Sequence, residues 1–391
     1  MDLTAVPLID GHCHSIATNF QASSAASFLG IFTEAADARL IGRHLPHTLT
    51  YQRAIRDLAA FLDCAPTPEA ILDVRQRRPD YVAALCRDAG LRGLLVDSAY
   101  PPRTLSLTQL QAAFGCGVGE VMRLETLEEE LLLTASDFIS FEDRFREALH
   151  AAKSRGAVAL KSIVAYRSSL AVRMPSRLEA RKTFQHLKAR IDQHGRLRLT
   201  AKPLLDYCVG VALEEARRLE LPVQFHTGFG DPDIDILAAN PALLRPIIAD
   251  ARHAGVPIVL LHMGYPYVRE SAFLASLYPD VYIDISLAVP LLRPRVPHLL
   301  RELLALAPAT KILFGSDGHS QPEMFWLGAQ CGRWALGKVL GDWISDGSVA
   351  APEALDIAER ICYRNALELY RLDLSWLRGG VGRSGVPGTG S

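Results

Sequence analysis

The sequence predicts an α/β fold, a (β/α)8 TIM barrel with helical insertions after strands one and four. Three observations point to it. Short β-rich runs alternate with helical stretches along the chain. Several of these runs are apolar on both faces, as strands of a parallel sheet covered on both sides must be. Their polar residues collect at the C-terminal ends, where a barrel gathers its active site.

Taken in order, "VPLIDGHCH" (6–14) opens the chain as strand one. A long helical insertion, 16–90, separates it from strand two, "LRGLLVDSA" (91–99). Strand three, "GVGEVMRLE" (117–125), is the weakest of the eight because three glycines crowd it. Strand four, "AVALKSIVAY" (157–166), leads into a second insertion, 167–205. The remaining strands are "PVQFHTG" (222–228), "PIVLLHMG" (257–264), "VYIDIS" (281–286) and "KILFGSDG" (311–318). Between them, "LDYCVGVALEEARRLEL" and "LLRPIIADARHAG" read as helices, each followed by Gly or Pro. A minimal barrel needs roughly 250 residues. The two insertions take up most of the surplus, and both follow strand C-termini, so both are expected over the active-site face as a lid. The barrel is expected to span 1–377, and the Gly/Ser-rich tail 378–391 to be disordered. A doubly wound open sheet is the rival fold. It lacks the GxGxxG turn that should follow its first strand.

Composition narrows the partners. A formal net charge of -1 leaves no basic excess for a phosphate backbone, which argues against nucleic acid. No apolar run approaches the roughly 20 residues that cross a bilayer, and too few residues precede Leu8 for a signal peptide. Seven scattered cysteines with no CxxC pair suit a reduced, cytoplasmic protein in which each is a small buried hydrophobe. The expected partner is a small-molecule substrate, with homo-oligomerisation open.

The strand ends carry the chemistry. Strand one ends in Asp10, His12 and His14, which strict alternation places on one face with Cys13 on the other. Strand four carries Lys161, strand five His226, strand six His262, and strand eight Asp317 followed by His319. A charged or imidazole group at the end of an apolar run is costly unless paired or bound to metal. Imidazole with carboxylate suits a divalent ion, zinc first, with manganese or iron(II) as alternatives. HxH alone is a weak signal, but the ordered set is far more specific. His44, His47, His150, His186, His194, His253 and His298 read as surface or capping residues, His47 being the least settled because it lies in the lid. Glu34 in "IFTEAADARL" is a candidate pocket residue whose alternative is a solvated helical carboxylate. His319 offers substrate contact or plain loop structure. Tyr166 and Arg167, in "AYRSS", should face the pocket mouth, and the planar Arg fork suits a substrate carboxylate. In "GFGDPDID", Asp231, Asp233 or Asp235 could hold an amino group, with turn capping as the alternative.

This ordered set resembles the amidohydrolase superfamily, whose motif is HxH on strand one, Lys or Glu on four, His on five and six, and Asp on eight. The stretches "LKSIVAYRSSL", "PVQFHTGFGDPDIDILAANPALLRPI", "IVLLHMGYPYVRESAFLASLYPDVYIDISLAVPLL" and "LFGSDGHSQPEMFWLGA" are closer to one part of it. They resemble the amidohydrolase-related (amidohydrolase 2) subgroup that forms the N-terminal half of FluG-type proteins, where it is fused to a glutamine-synthetase-like domain. With "PHTLTYQRAIRDLAAFL" the likeness covers roughly residues 5 to 375, and a stand-alone version is expected. The resemblance implies His12, His14, Lys161, His226, His262 and Asp317 as metal ligands. It allows two ions bridged by a carboxylated Lys161, or one ion with Lys161 a free ammonium.

The activity expected is hydrolysis of an amide C–N bond by metal-activated hydroxide, with His262 and Asp317 catalytic. The fused domain of relatives suggests γ-glutamyl amides. One rival is a mononuclear decarboxylase or hydratase of a small carboxylic acid. A phosphodiesterase would want a more basic mouth. A non-catalytic signalling module would have no need of six costly polar residues.

Overall fold

A computed structural model describes residues 1–194 and 198–378. From residue 379 the tail expected to be disordered lies outside the described residues. Eight strands form one parallel sheet in sequence order: β1 (Leu8–His14), β2 (Leu91–Asp97), β3 (Gly117–Arg123), β4 (Ala159–Ser162), β5 (Val223–Phe225), β6 (Ile258–Leu260), β7 (Val281–Asp284) and β8 (Ile312–Leu313). Helices cross between them, as parallel pairing requires. Backbone hydrogen bonds from Gly11 N to Phe314 O (2.8 Å) and from Asp317 N to His12 O (3.0 Å) carry the last segment back onto the first, closing the barrel. Among the described residues no helix is long and apolar enough to cross a membrane.

Several strands are shorter than their apolar runs. β4 stops at Ser162, and Tyr166 and Arg167 lie on a single helical turn, Val164–Arg167. β6 stops at Leu260, and His262 follows in the left-handed region at φ 64°. Asp317 is likewise left-handed, at φ 54°. β1 differs in another way. Its register against β2 shifts between Asp10 and Cys13, so strict alternation fails there. Asp10 is buried, accepting hydrogen bonds from Ser316 N (2.9 Å) and Ser316 Oγ, and does not join His14 in lining the pocket. Cys13 packs into the outer core, its thiol on Leu95 O.

Two of the three glycines that made strand three doubtful, Gly117 and Gly119, have a packing reason, and the third, Gly115, ends the preceding helix at φ 69°. The inner cluster of the barrel, which includes Ile9, Leu95, Val121 and Leu313, is completed by Tyr370 and Trp376 from the C-terminal segment. A Cβ at Gly93 would collide with the Trp376 ring, and one at Gly117 would stand 2.7 Å from its Cε3. β2 and β3 are therefore glycine-rich where an indole plugs the barrel. Trp376→Ala is expected to lower unfolding free energy by about 3–5 kcal/mol, read as an earlier urea midpoint. An unchanged midpoint would show the plug to be dispensable.

The first insertion runs as several short helices, and its stretch around Gly30–Ala36 reaches the pocket. The second insertion corrects the expectation of a two-part lid. Its helix Arg177–His194 packs along the outside of the wall, against the helices Leu124–Thr134, Phe138–Ser154 and Lys202–Leu219. Among its described residues, Arg167 at its start and Arg198 near its end line the cavity. The insertion's apolar positions Ala180, Phe184 and Leu187 are buried in that seam.

Candidate metal centre and pocket

A cavity of about 450 Å³ opens at the C-terminal end of the strands, lined by His14, Lys161, His226, His262, Asp317 and His319 among others. The six residues expected as ligands meet at its floor. His12 Nε2 lies 3.2 Å and His14 Nε2 3.4 Å from Asp317 Oδ1. These three residues offer ligand atoms all within 4.8 Å of one another. Lys161 Nζ is 2.8 Å from His12 Nε2. His226 Nδ1 and His262 Nε2 face each other at 3.0 Å.

The outward hydrogen bonds of the imidazoles fix what they present inward. His14 Nδ1 meets Asp97 O at 3.0 Å, and His226 Nε2 meets Phe229 O at 3.1 Å. A carbonyl only accepts, so both nitrogens carry the proton. His262 Nδ1 meets Ser286 Oγ at 3.0 Å, and that hydroxyl donates to Asp284 Oδ1, so here too the ring nitrogen is the donor. The inward nitrogens of His14, His226 and His262 are then bare lone pairs. Two of them face each other and the third faces a carboxylate oxygen. Such an arrangement is repulsive unless a cation lies among them, and the donor set of imidazole and carboxylate is what a zinc-like ion takes.

The titration behaviour agrees. Burial holds His226 and His262 well below the usual imidazole range and His12 down at about 4, so all three are neutral. Burial alone would raise the Asp317 carboxyl, but His262, His12 and His14 outweigh it and hold it well below the carboxylate range. Burial lowers Lys161, against the pull of Asp97. The left-handed turns that aim His262 and Asp317 inward cost about 1–3 kcal/mol each, strain of the kind that concentrates at functional sites.

The substrate candidates reach the cavity, Asp235 excepted. Tyr166 packs against His226 with ring centroids 4.4 Å apart and planes tilted by 50°, and its hydroxyl accepts from Asp231 N at 3.1 Å. Gly230 permits this, since a Cβ there would run into that hydroxyl. Arg167 Nη2 pairs with Glu129 Oε1 at 3.3 Å. Asp231 and Glu34 line the cavity with no ion-pair partner among the described residues. Burial, reinforced by Asp317 and Asp231, pushes Glu34 up to about 8. His319 lines the rim, lowered by burial to about 4. Asp233 is taken by Arg198, and Asp235 caps the turn at Leu237 N.

The residues the sequence reading passed over are Asp97, Tyr100, Arg123, Arg198, Asp284 and Ser286. Asp97 and Arg123 end β2 and β3, so the strand-end rule that singled out the histidines applied equally to them. Among the other histidines, His47 is exposed and outside the pocket. His253, expected at the surface, is buried instead, its Nδ1 satisfied by Ile247 O at 3.1 Å as the tight turn folds it inward.

Known proteins share this architecture. The amidohydrolase family model matches residues 192–372. A protein from Lactobacillus casei ATCC 334, described on inference as a metal-dependent hydrolase, superposes with a TM-score of 0.85 at 30% identity, over 95% of this chain and 97% of that one. Protein FluG of Emericella nidulans is 30% identical over 401 residues, 94% of this chain and 46% of its own length, so the chain spans about half of that curated relative. Glucuronate isomerase from Caulobacter crescentus shares the fold at a TM-score of 0.66 and 15% identity, over 95% of this chain and 93% of that one.

Proposed function

Because this chain belongs to the amidohydrolase superfamily and resembles FluG-type proteins, we propose that it is a metal-dependent hydrolase of an amide C–N bond in a small, amino-acid-like substrate. The observation that carries this is a set of three imidazoles with bare inward nitrogens, two facing each other and the third facing the Asp317 carboxylate. His12, His14, His226, His262 and Asp317 would hold the ion, with Lys161 at its edge. A divalent ion there supplies Lewis acidity and makes water acidic enough to ionise near neutral pH.

The chain's own groups do the rest. Asp317 is ionised at working pH, so it can take a proton from the attacking water and pass it to the leaving amine. His262 has spent its N–H on Ser286 and acts as a ligand, not as a hydrogen-bond donor to the substrate. Asp231 offers an uncompensated carboxylate to an amino group, and Glu34, a carboxyl pushed up to about 8, lines the same cavity and would ionise against a docked ammonium. Tyr166 fixes the loop that carries Asp231. γ-Glutamyl amides head the substrate series, followed by N-acyl amino acids and dipeptides.

The test is turnover of that panel by metal-loaded and chelator-treated protein. Chelation is expected to remove activity by about 100-fold or more, and zinc, manganese or iron(II) to restore it. If metal-loaded protein hydrolyses no member of the panel, the amide reading falls.

A further inference from the structure

The cationic side chains around the cavity are not equivalent. Arg198 Nη2 is committed to Asp233 Oδ2 at 2.5 Å and to the Tyr166 carbonyl at 3.2 Å. Arg167 also lines the cavity, but it is held by a single ion pair, Nη2 to Glu129 Oε1 at 3.3 Å, its buried Nε has no hydrogen-bond partner among the described residues, and the Glu129 carboxylate also accepts from Leu199 N at 2.9 Å. That places Arg167 in a strut joining the helix Leu124–Thr134 to the end of the second insertion. Lys161 Nζ lies against His12 and, at 3.7 Å, against Asp97 Oδ2.

Arg123 stands apart. Its Nε and Nη2 both donate to one oxygen, Asp97 Oδ2, at 2.8 and 2.6 Å. That bidentate grip fixes the guanidinium plane, and the Tyr100 ring lies beneath it at 5.6 Å. Nη1 has no hydrogen-bond partner among the described residues. The side chain is 10% exposed and lines the cavity. A planar cation is thus held rigid from behind, with an unspent N–H edge toward the pocket and little side-chain entropy left to lose on binding. β3 register sets it beside Lys161 on β4, close to the metal-centre floor. Asp231 and Glu34, with no ion pairs of their own among the described residues, line the same cavity.

We propose that Arg123, backed by Tyr100 and braced by Asp97, is the anchor for a substrate carboxylate, and that Arg167 is a structural strut. This deepens the amino-acid-like reading above and rests on it for the reaction, but not for the binding. An α-amino acid or glutamyl head would place its carboxylate on Arg123 and its ammonium toward Asp231 and Glu34.

The probes are glutarate and its neutral analogue glutaramide, titrated calorimetrically into metal-loaded protein. Wild type is expected to bind glutarate and to bind glutaramide far more weakly. Arg123→Met should weaken glutarate binding by about tenfold or more, as loss of a charged hydrogen bond does. Arg167→Met should change it by less than about threefold. Arg123→Lys, which keeps the charge beside Asp97 but loses the fork, should also bind weakly while retaining wild-type metal content, which separates anchoring from damage to the site. Failure of wild type to bind glutarate, wild-type affinity in both Arg123 variants, or an equal loss in Arg167→Met would overturn the proposal. Arg123-dependent glutarate binding in a protein that hydrolyses no amide would defeat the hydrolase reading and leave the anion site standing.

Discussion

Asp317→Asn is expected to retain at most about a thousandth of wild-type turnover in a protein that remains folded. The carboxylate stands between two histidines, 3.2 Å from His12 Nε2 and 3.4 Å from His14 Nε2. An amide of the same shape keeps the side-chain volume but loses the charge that balances a cation among bare imidazole nitrogens. It also loses the base that accepts the water proton. The fold should survive, because the barrel closure here is made by the backbone, Asp317 N on His12 O. Circular dichroism with steady-state kinetics reads both quantities. Near-wild-type turnover would remove Asp317 from the mechanism.

The second large effect is on stability. Arg75, in the helix Pro68–Arg77 of the first insertion, is wholly buried. Its Nε and Nη2 reach Glu323 Oε1 at 2.9 and 2.6 Å, and Tyr81 Oη donates to the same oxygen at 2.7 Å. Nη1 holds the Phe20 carbonyl and Gln321 Oε1. The guanidinium also lies within 5.4 Å of the Phe28 ring centroid. This cluster ties the insertion to the segment that follows Asp317 and His319. Removing one partner of such a pair strands the other charge without solvent. Arg75→Met is expected to cost about 3–5 kcal/mol in urea unfolding. The double variant Arg75→Met/Glu323→Leu should recover much of that loss, since an apolar pair of similar volume is often no worse than the ion pair. A single variant as stable as wild type would show that the cluster is not a latch.

How much of this was legible in the sequence depends on which physical rule each feature obeys. Apolar runs ending in His or Asp gave the strand order and brought six polar residues to one floor, because parallel strands of a barrel all point their C-termini the same way. The same rule would have picked out Asp97 and Arg123. They drew no attention because no motif flags them. Alternation failed at Asp10 because a register shift intervenes, and a bulge of that kind has no residue signature in "LIDGHCH". The extended runs overshot at His262 and Asp317 because the apolar pattern does not stop where the chain turns left-handed. The glycines of β3 looked like a weakness until Trp376, more than 250 positions later, supplied the group they receive. The second insertion was placed over the mouth by its position in the chain, whereas Ala180, Phe184 and Leu187 bury it against the outer wall. Arg167 and Arg123 could not be ranked by sequence, since what separates them is how each is held: Arg123 by a two-point grip on Asp97, Arg167 by one ion pair with Glu129.

The measurement closest to the central claim is elemental analysis of purified wild-type protein and of His12→Ala, as isolated and after reconstitution with zinc, manganese and iron(II). About one or two divalent ions per wild-type chain are expected, with a loss of most of that content in the variant. Wild-type protein free of divalent metal after reconstitution with zinc, manganese and iron(II), or equal metal content in His12→Ala, would contradict it.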